Sequence, residues 1–264
     1  MIVMWIALAS AGPCDSDPIA TGPVSVALRD GALGSGRRAC PRREVGVSGH
    51  ALLLDDTGNL NIYGQIQLQG VVDASVAVSD RVEVFARLEA IRSQQAISLA
   101  GASYTGLGHT TLGVSALLVN DVDTHVAWLN RVVLPTAVGL YRNQHPVALE
   151  SGLSAQLDVG EALQLYGQLS VIGSMGLGGG PTQVRVGLAP SLGAELTVKP
   201  SFGVAVGVTS GLLHDHPFEQ LSPQVSLRTA IGKVGIQLDA MVPVTGPTPR
   251  PLVVGQLGAT YRFD

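Results

Sequence analysis

The sequence predicts an all-β fold, an antiparallel transmembrane β-barrel of about 12 strands with short periplasmic turns and longer extracellular loops. Three observations lead there. The chain is 46% hydrophobic and only 14% charged, against roughly 25% charged in ordinary soluble domains. Its mean hydropathy is +0.33, yet past the opening residues no apolar run reaches the ~18 residues of a spanning helix. From Val45 onward, apolar and polar residues alternate over segments separated by turn residues. A period of two sends successive side chains to opposite faces of a strand.

The opening MIVMWIALASA is a short apolar run ending in Ala9-Ser10-Ala11, the small-x-small pattern of a signal-peptide cleavage site. Residues 1–11 therefore read as an export signal, although no Lys or Arg precedes them; a buried N-terminal strand is the alternative. Cys14 and Cys40 follow, and a cysteine pair in an exported chain is expected to form a disulfide. Pro13 rules out a lipoprotein cleavage box. Residues 12–44 form a periplasmic extension in which GSGRRACPRR sets Arg37, Arg38, Arg42 and Arg43 around Cys40. No aromatics interleave these arginines and the net charge is −4, so nucleic-acid binding is not expected. Insertion of this extension into the barrel is a second reading.

The barrel occupies 45–264, and alternation places its strands at 45–54, 60–78, 82–91, 106–119, 124–135, 148–158, 163–172, 184–196, 201–212, 223–231, 234–244 and 252–263. The second of these is the clearest, with Leu60, Ile62, Ile66, Leu68, Val72 and Val76 on one face and Asn61, Gln65, Gln67, Gln69, Asp73 and Ser75 on the other. Between strands, short turns such as SDR, NDVD and GK alternate with longer loops such as TAVGLYRNQHPV and LHDHPFEQLS. That is the plan of bacterial outer-membrane barrels, with short turns periplasmic and long loops extracellular. Both termini then lie in the periplasm, and the expected location is the bacterial outer membrane.

In such a barrel the apolar set meets outer-membrane lipid and the interleaved set meets the lumen. Strand parity places Asp73, Glu83, Arg87, Glu89, His125, Arg131, Glu150, Asp158, Arg185, Arg228, Asp239 and Arg262 inside. Charges there must be hydrated or paired, and both signs are present. Trp128, Tyr166, Phe202, Tyr261 and Phe263 are the available members of a thin interfacial girdle.

The last strand, LVVGQLGATYRF followed by Asp264, resembles the C-terminal signal by which outer-membrane barrels engage the barrel-assembly machinery, with Tyr261 and Phe263 as its aromatic residues. Within the chain, SDRVEVFARL, GLGHTTLGVSALLV and LNRVVLPTAVG resemble transporter-type Gram-negative outer-membrane proteins, some linked to aromatic-compound degradation. That group has Asp where this chain has His109, and Gly where it has Ala137. The resemblance implies a barrel more than it implies a substrate.

Function follows from the lumen: passive passage of small solutes is the leading expectation, and a closed structural or surface-interaction barrel is the alternative. A soluble β-sandwich would carry many Lys and Glu on its wet face, whereas the lysines here, Lys199 and Lys233, both sit in expected turns. Enzymatic readings are weak. His214, Asp215, His216 and Glu219 share one loop but lack a diagnostic third ligand spacing for a metal. A barrel-wall hydrolase needs an outward Ser and His, while parity turns His109 and His125 inward. The glycine run at 176–181 lacks the Lys-Ser/Thr and the helix of a phosphate loop. No catalytic residue, metal or cofactor is expected.

Overall fold

The computed structural model describes residues 26–27, 33–34, 39–41, 43–55, 65–96, 103–136, 138, 145–160, 163–177, 184–199, 202–211, 220–242, 244 and 250–263. Two short strands, β1 (Val26–Ala27) and β2 (Leu33–Gly34), pair with each other. The remainder run β3 (Glu44–Asp55), β4 (Gln65–Ala77), β5 (Val82–Ala96), β6 (Ser103–Gly106), β7 (Thr110–Asn120), β8 (Thr124–Leu134) and β9 (His145–Val159). They continue through β10 (Leu163–Leu177), β11 (Val184–Lys199), β12 (Phe202–Gly211), β13 (Gln220–Ile231), β14 (Val234–Met241) and β15 (Arg250–Arg262).

Every pairing from β3 to β15 is antiparallel. From β3 to β15 each strand pairs with its sequence neighbour except that β6 and β7 both pair with β5, β15 pairs with β3, and β4 pairs with both β3 and β5. The ladder thus returns on itself. The ring has 12 strands, because β6 and β7 lie end to end along the same neighbour, β5. Closure matters in a bilayer, where an open sheet edge would leave unpaired backbone groups in hydrocarbon. At Gly160 (φ 67°) and Gly232 (φ 61°) the chain turns tightly between strands, in a left-handed conformation that Gly adopts without steric cost.

The faces are inverted relative to a soluble protein. Leu192, Ile231 and Val186 are 72%, 71% and 65% exposed, whereas Glu83, Glu150, Gln237 and Asp239 are fully buried. Apolar side chains clothe the outside of the barrel and polar ones fill the inside. Water cannot be the solvent of such an exterior over so many strands; lipid can.

Of four register shifts in the ladder, at Thr197/Lys199, Pro251/Val253, Gly70/Val71 and Leu117/Val119, the last two visibly change which face the following side chains take. Gly70 faces Ile91 while Val71 faces Glu89, so Ala90 is an unpaired bulge residue on β5. Beyond it Ile91 points outward, although Arg87 and Glu89 share its parity and point inward. Likewise Leu117 faces Ala127 and Val119 faces Val126, leaving Leu118 unpaired and both Leu118 and Val119 on the outside. A bulge inserts one residue into one strand and flips everything after it.

The single strand expected at 106–119 is corrected by the structure. Leu107, Gly108 and His109 interrupt it between β6 and β7. The cause is competition for carbonyls: Val138 N–H donates to Leu107 O at 3.1 Å, and the Thr136 hydroxyl donates to Gly108 O at 3.3 Å. The loop after β8 is thereby pinned on the junction. On its other side the junction stays tied to β5, with Gly108 N–H donating to Glu89 O (2.9 Å) and Glu89 N–H to His109 O (3.1 Å).

Candidate functional site

The lumen is the candidate site, and one buried polar network crosses β8, β9 and β10. Arg131 on β8 forms a salt bridge through Nε with Glu150 Oε2 on β9, its in-register neighbour. Gln168 on β10 donates from Nε2 to Glu150 Oε1 at 2.9 Å and lies 2.6 Å from Ser170 Oγ. Arg131 is 7% and Glu150 1% exposed. A carboxylate this deep persists because a guanidinium and an amide donor both reach it.

A second network sits where β7 turns into β8. His125 Nδ1 is 2.9 Å from Asn120 Oδ1, and its Nε2 is 3.6 Å from Asp158 Oδ2. Gln164 and Gln156 also donate to Asp158 Oδ1, at 2.6 Å and 3.4 Å. Asn120 and Thr124 are joined by a short turn, so this network marks the end of the lumen that carries the short connections.

The third lies on β3, β4 and β5 and is looser. Arg87 Nε stands 3.7 Å from Asp73 Oδ1, with 17% and 45% of the two side chains exposed. A terminal Arg87 nitrogen is 3.3 Å from His50 Nε2, which is 2.9 Å from Ser48 Oγ.

Among the residues that parity placed inside, Glu83, Glu89, His125, Arg131, Glu150 and Asp239 are buried, and Asp73, Arg87 and Asp158 are partly accessible from within. Asp239 accepts a hydrogen bond from Gln237 Nε2. The side chains of Arg185, Arg228 and Arg262 lie outside the described residues; their backbones stand opposite Ser174, Gln237 and Glu44. Cys14, the loop group His214, Asp215, His216 and Glu219, and residues 1–11 also lie outside them.

Gln67 and Gln69, on the polar face expected of the second strand, are buried as that face requires, whereas sequence reading missed His50, Glu195, Gln156 and Gln168. Parity was the available signal for all of them, since each alternates with outward apolar neighbours. Tyr166 is a correction: instead of joining the interfacial girdle, it points inward, 7% exposed, and its ring lies over Gly193, its in-register partner on β11. Phe85 lies over Gly113 on β7 in the same manner. An absent side chain on one strand makes room for a ring on the next. Trp128, Tyr261 and Phe263 do face outward, and the last two stack edge to face with ring centroids 5.2 Å apart.

The extension enters this account through Ala39. It packs in one buried cluster with Leu117 on β7 and Ala127 on β8, whose side chains face the lumen. Ala39 and Cys40 are only 1% and 3% exposed. Close by in sequence, Arg43 binds the barrel rim: its Nε donates to Ala77 O at 3.2 Å, and its carbonyl accepts from Phe263 N–H at 2.8 Å.

No protein-family model matches the chain, and no curated protein matches it. Solved structures do. An outer-membrane channel from Pseudomonas putida F1 is similar at a TM-score of 0.59 and 14% identity, covering 84% of this chain and 96% of that one. NanC porin is similar at 0.57 and 8% identity, covering 83% and 100%. The translocator domain of the autotransporter NalP from Neisseria meningitidis gives 0.53 and 11%, covering 84% and 88%. At such identities the likeness is one of fold. The chain therefore has the fold of a bacterial outer-membrane β-barrel, and its apolar exterior places it in that membrane.

Proposed function

We propose that this barrel is a passive conduit for small polar solutes or ions across the outer membrane. The observation that carries the reading is the lining: among the described side chains, buried or half-buried polar groups face inward on β3, β4, β5, β7 to β11 and β13 to β15, many of them hydrogen-bonded to neighbours on the wall. Two of the similar structures are named as a channel and a porin, which supports the reading. In it, residues 1–11 serve as the export signal and a Cys14–Cys40 disulfide closes the extension. Tyr261 and Phe263 mark the strand recognised by the barrel-assembly machinery. Arg185, Arg228 and Arg262 complete the lumen charges.

The burial of Ala39 and Cys40 against inward-facing Leu117 and Ala127 supports a narrowed lumen, with residues 39–41 filling part of the end that carries the short turns. The same observation favours the second reading, a barrel sealed for structural or surface-interaction roles. Refolded full-length protein in a planar bilayer separates the two. Steady unitary currents are expected of the conduit; a silent membrane containing correctly folded barrel overturns it.

A further inference from the structure

The apolar cover of the barrel is broken at one place on its outward face. A register row runs through Val84, Val114, Asn130, Ser151 and Val171, on β5, β7, β8, β9 and β10. Its two polar members are neighbours, set between valines. Asn130 belongs to the outer face by the alternation of β8, because His125, Ala127, Leu129, Arg131 and Val133 all turn inward and are buried. Among the described side chains it is the one amide or charged group on the outward face of a strand.

Its place along β8 sets its depth. Val126 and Trp128 precede Asn130 on the outer face, and Val132 and Leu134 follow it. Hydrocarbon therefore meets the strand on both sides of the amide. The Trp128 indole donates from Nε1 to Ser151 Oγ at 3.2 Å, so the nearest hydroxyl already has a partner. Among the described residues the Asn130 amide has none. Acyl chains offer neither donor nor acceptor, and an unpaired amide among them is strongly disfavoured.

An amide carries both a donor and an acceptor, so its own copy complements it: each Nδ2 can donate to the other's Oδ1. A two-fold interface supplies that arrangement, since it brings one patch against itself and sets a group near the axis beside its symmetry mate. The surroundings suit close approach. Ser151 is small, and so is Ala116 on β7, the in-register partner of Trp128.

We propose that a second copy of this chain docks against the outer face of β7, β8 and β9, across a two-fold axis at Asn130 that pairs the two amides within the membrane. The interface lies outside the lumen and does not depend on whether the lumen conducts.

The test uses full-length protein, both folded in lipid vesicles and in the native outer membrane, with wild type as the control for native thiols. Asn130→Cys and Leu238→Cys each put one thiol on the outer face, and β14 stands half-way round the ring from β8. A short membrane-permeant bis-methanethiosulfonate is expected to link two copies of the Asn130→Cys protein and to leave the Leu238→Cys protein monomeric. Equal linking of the two variants, or linking of neither, overturns the interface. In vesicles of rising lipid content, energy transfer between labelled copies follows dissociation. Asn130→Leu, an outward change that suits hydrocarbon, is expected to fold as wild type and to weaken the dimer about tenfold, the size of two side-chain hydrogen bonds in a bilayer. An equally tight dimer in that variant overturns the role of the amides. A link from position 130 to a different protein in the native membrane, with the purified barrel monomeric, overturns the second copy as the occupant.

Discussion

Glu150 shows how single residues divide the work inside this barrel. It is 1% exposed and held by Arg131 and Gln168. Removing one partner of such a pair strands a charge in a poorly solvated site, while removing both removes the problem. Arg131→Leu is therefore expected to cost about 3–5 kcal/mol in urea unfolding from lipid vesicles, and adding Glu150→Leu to restore most of it. Equal destabilisation by the single and the double change would mean that the pair is not coupled. The aromatic residues follow packing logic: Gly193→Val collides with the Tyr166 ring and should cost about 1–3 kcal/mol. Combining it with Tyr166→Ala should cost less than the two changes summed, because the cavity left by one is filled by the other.

At the scale of elements, each strand is two half-strands interleaved, one written for lipid and one for the lumen. Leu238 on β14 is 52% exposed on the outer face. Leu238→Arg puts a charge in hydrocarbon and should cost roughly 2–4 kcal/mol if it lies near the bilayer midplane. Gln256→Arg, on the inward face of β15, should be milder because the polar lumen offers it hydrogen-bond partners that hydrocarbon lacks. Equal losses in folding titrations would contradict a lipid-facing exterior. Alternation made the strands legible: each segment expected from the sequence has its counterpart, and only 106–119 divides into β6 and β7. The bulges at Ala90 and Leu118 were not legible, since a bulge is a mismatch between two strands and neither sequence alone contains it.

For the whole molecule, the alternation of short and long connections orients the barrel. Val138, in the loop pinned on Leu107, belongs to the long-loop end; Lys233, in the tight turn between β13 and β14, belongs to the other. In intact cells, a membrane-impermeant thiol reagent is expected to label Val138→Cys and to spare Lys233→Cys until the outer membrane is permeabilised. The reverse pattern would invert the topology.

By itself the sequence determined the fold class, the number and placement of strands, and the face on which most side chains lie. Those are properties of a period of two read along one chain, against a solvent on each side. It did not determine which inward charges are enclosed and which are wet. Asp73 and Glu83 have the same parity on adjoining strands, yet one is half-open and the other sealed. Nor did it place Tyr166 inside, where Gly193 on the next strand makes room for it, or seat Ala39 against Leu117 and Ala127. Burial in a barrel depends on what stands opposite in register and across the lumen. Residues far apart in the chain supply those neighbours, so only the closed ring could decide them.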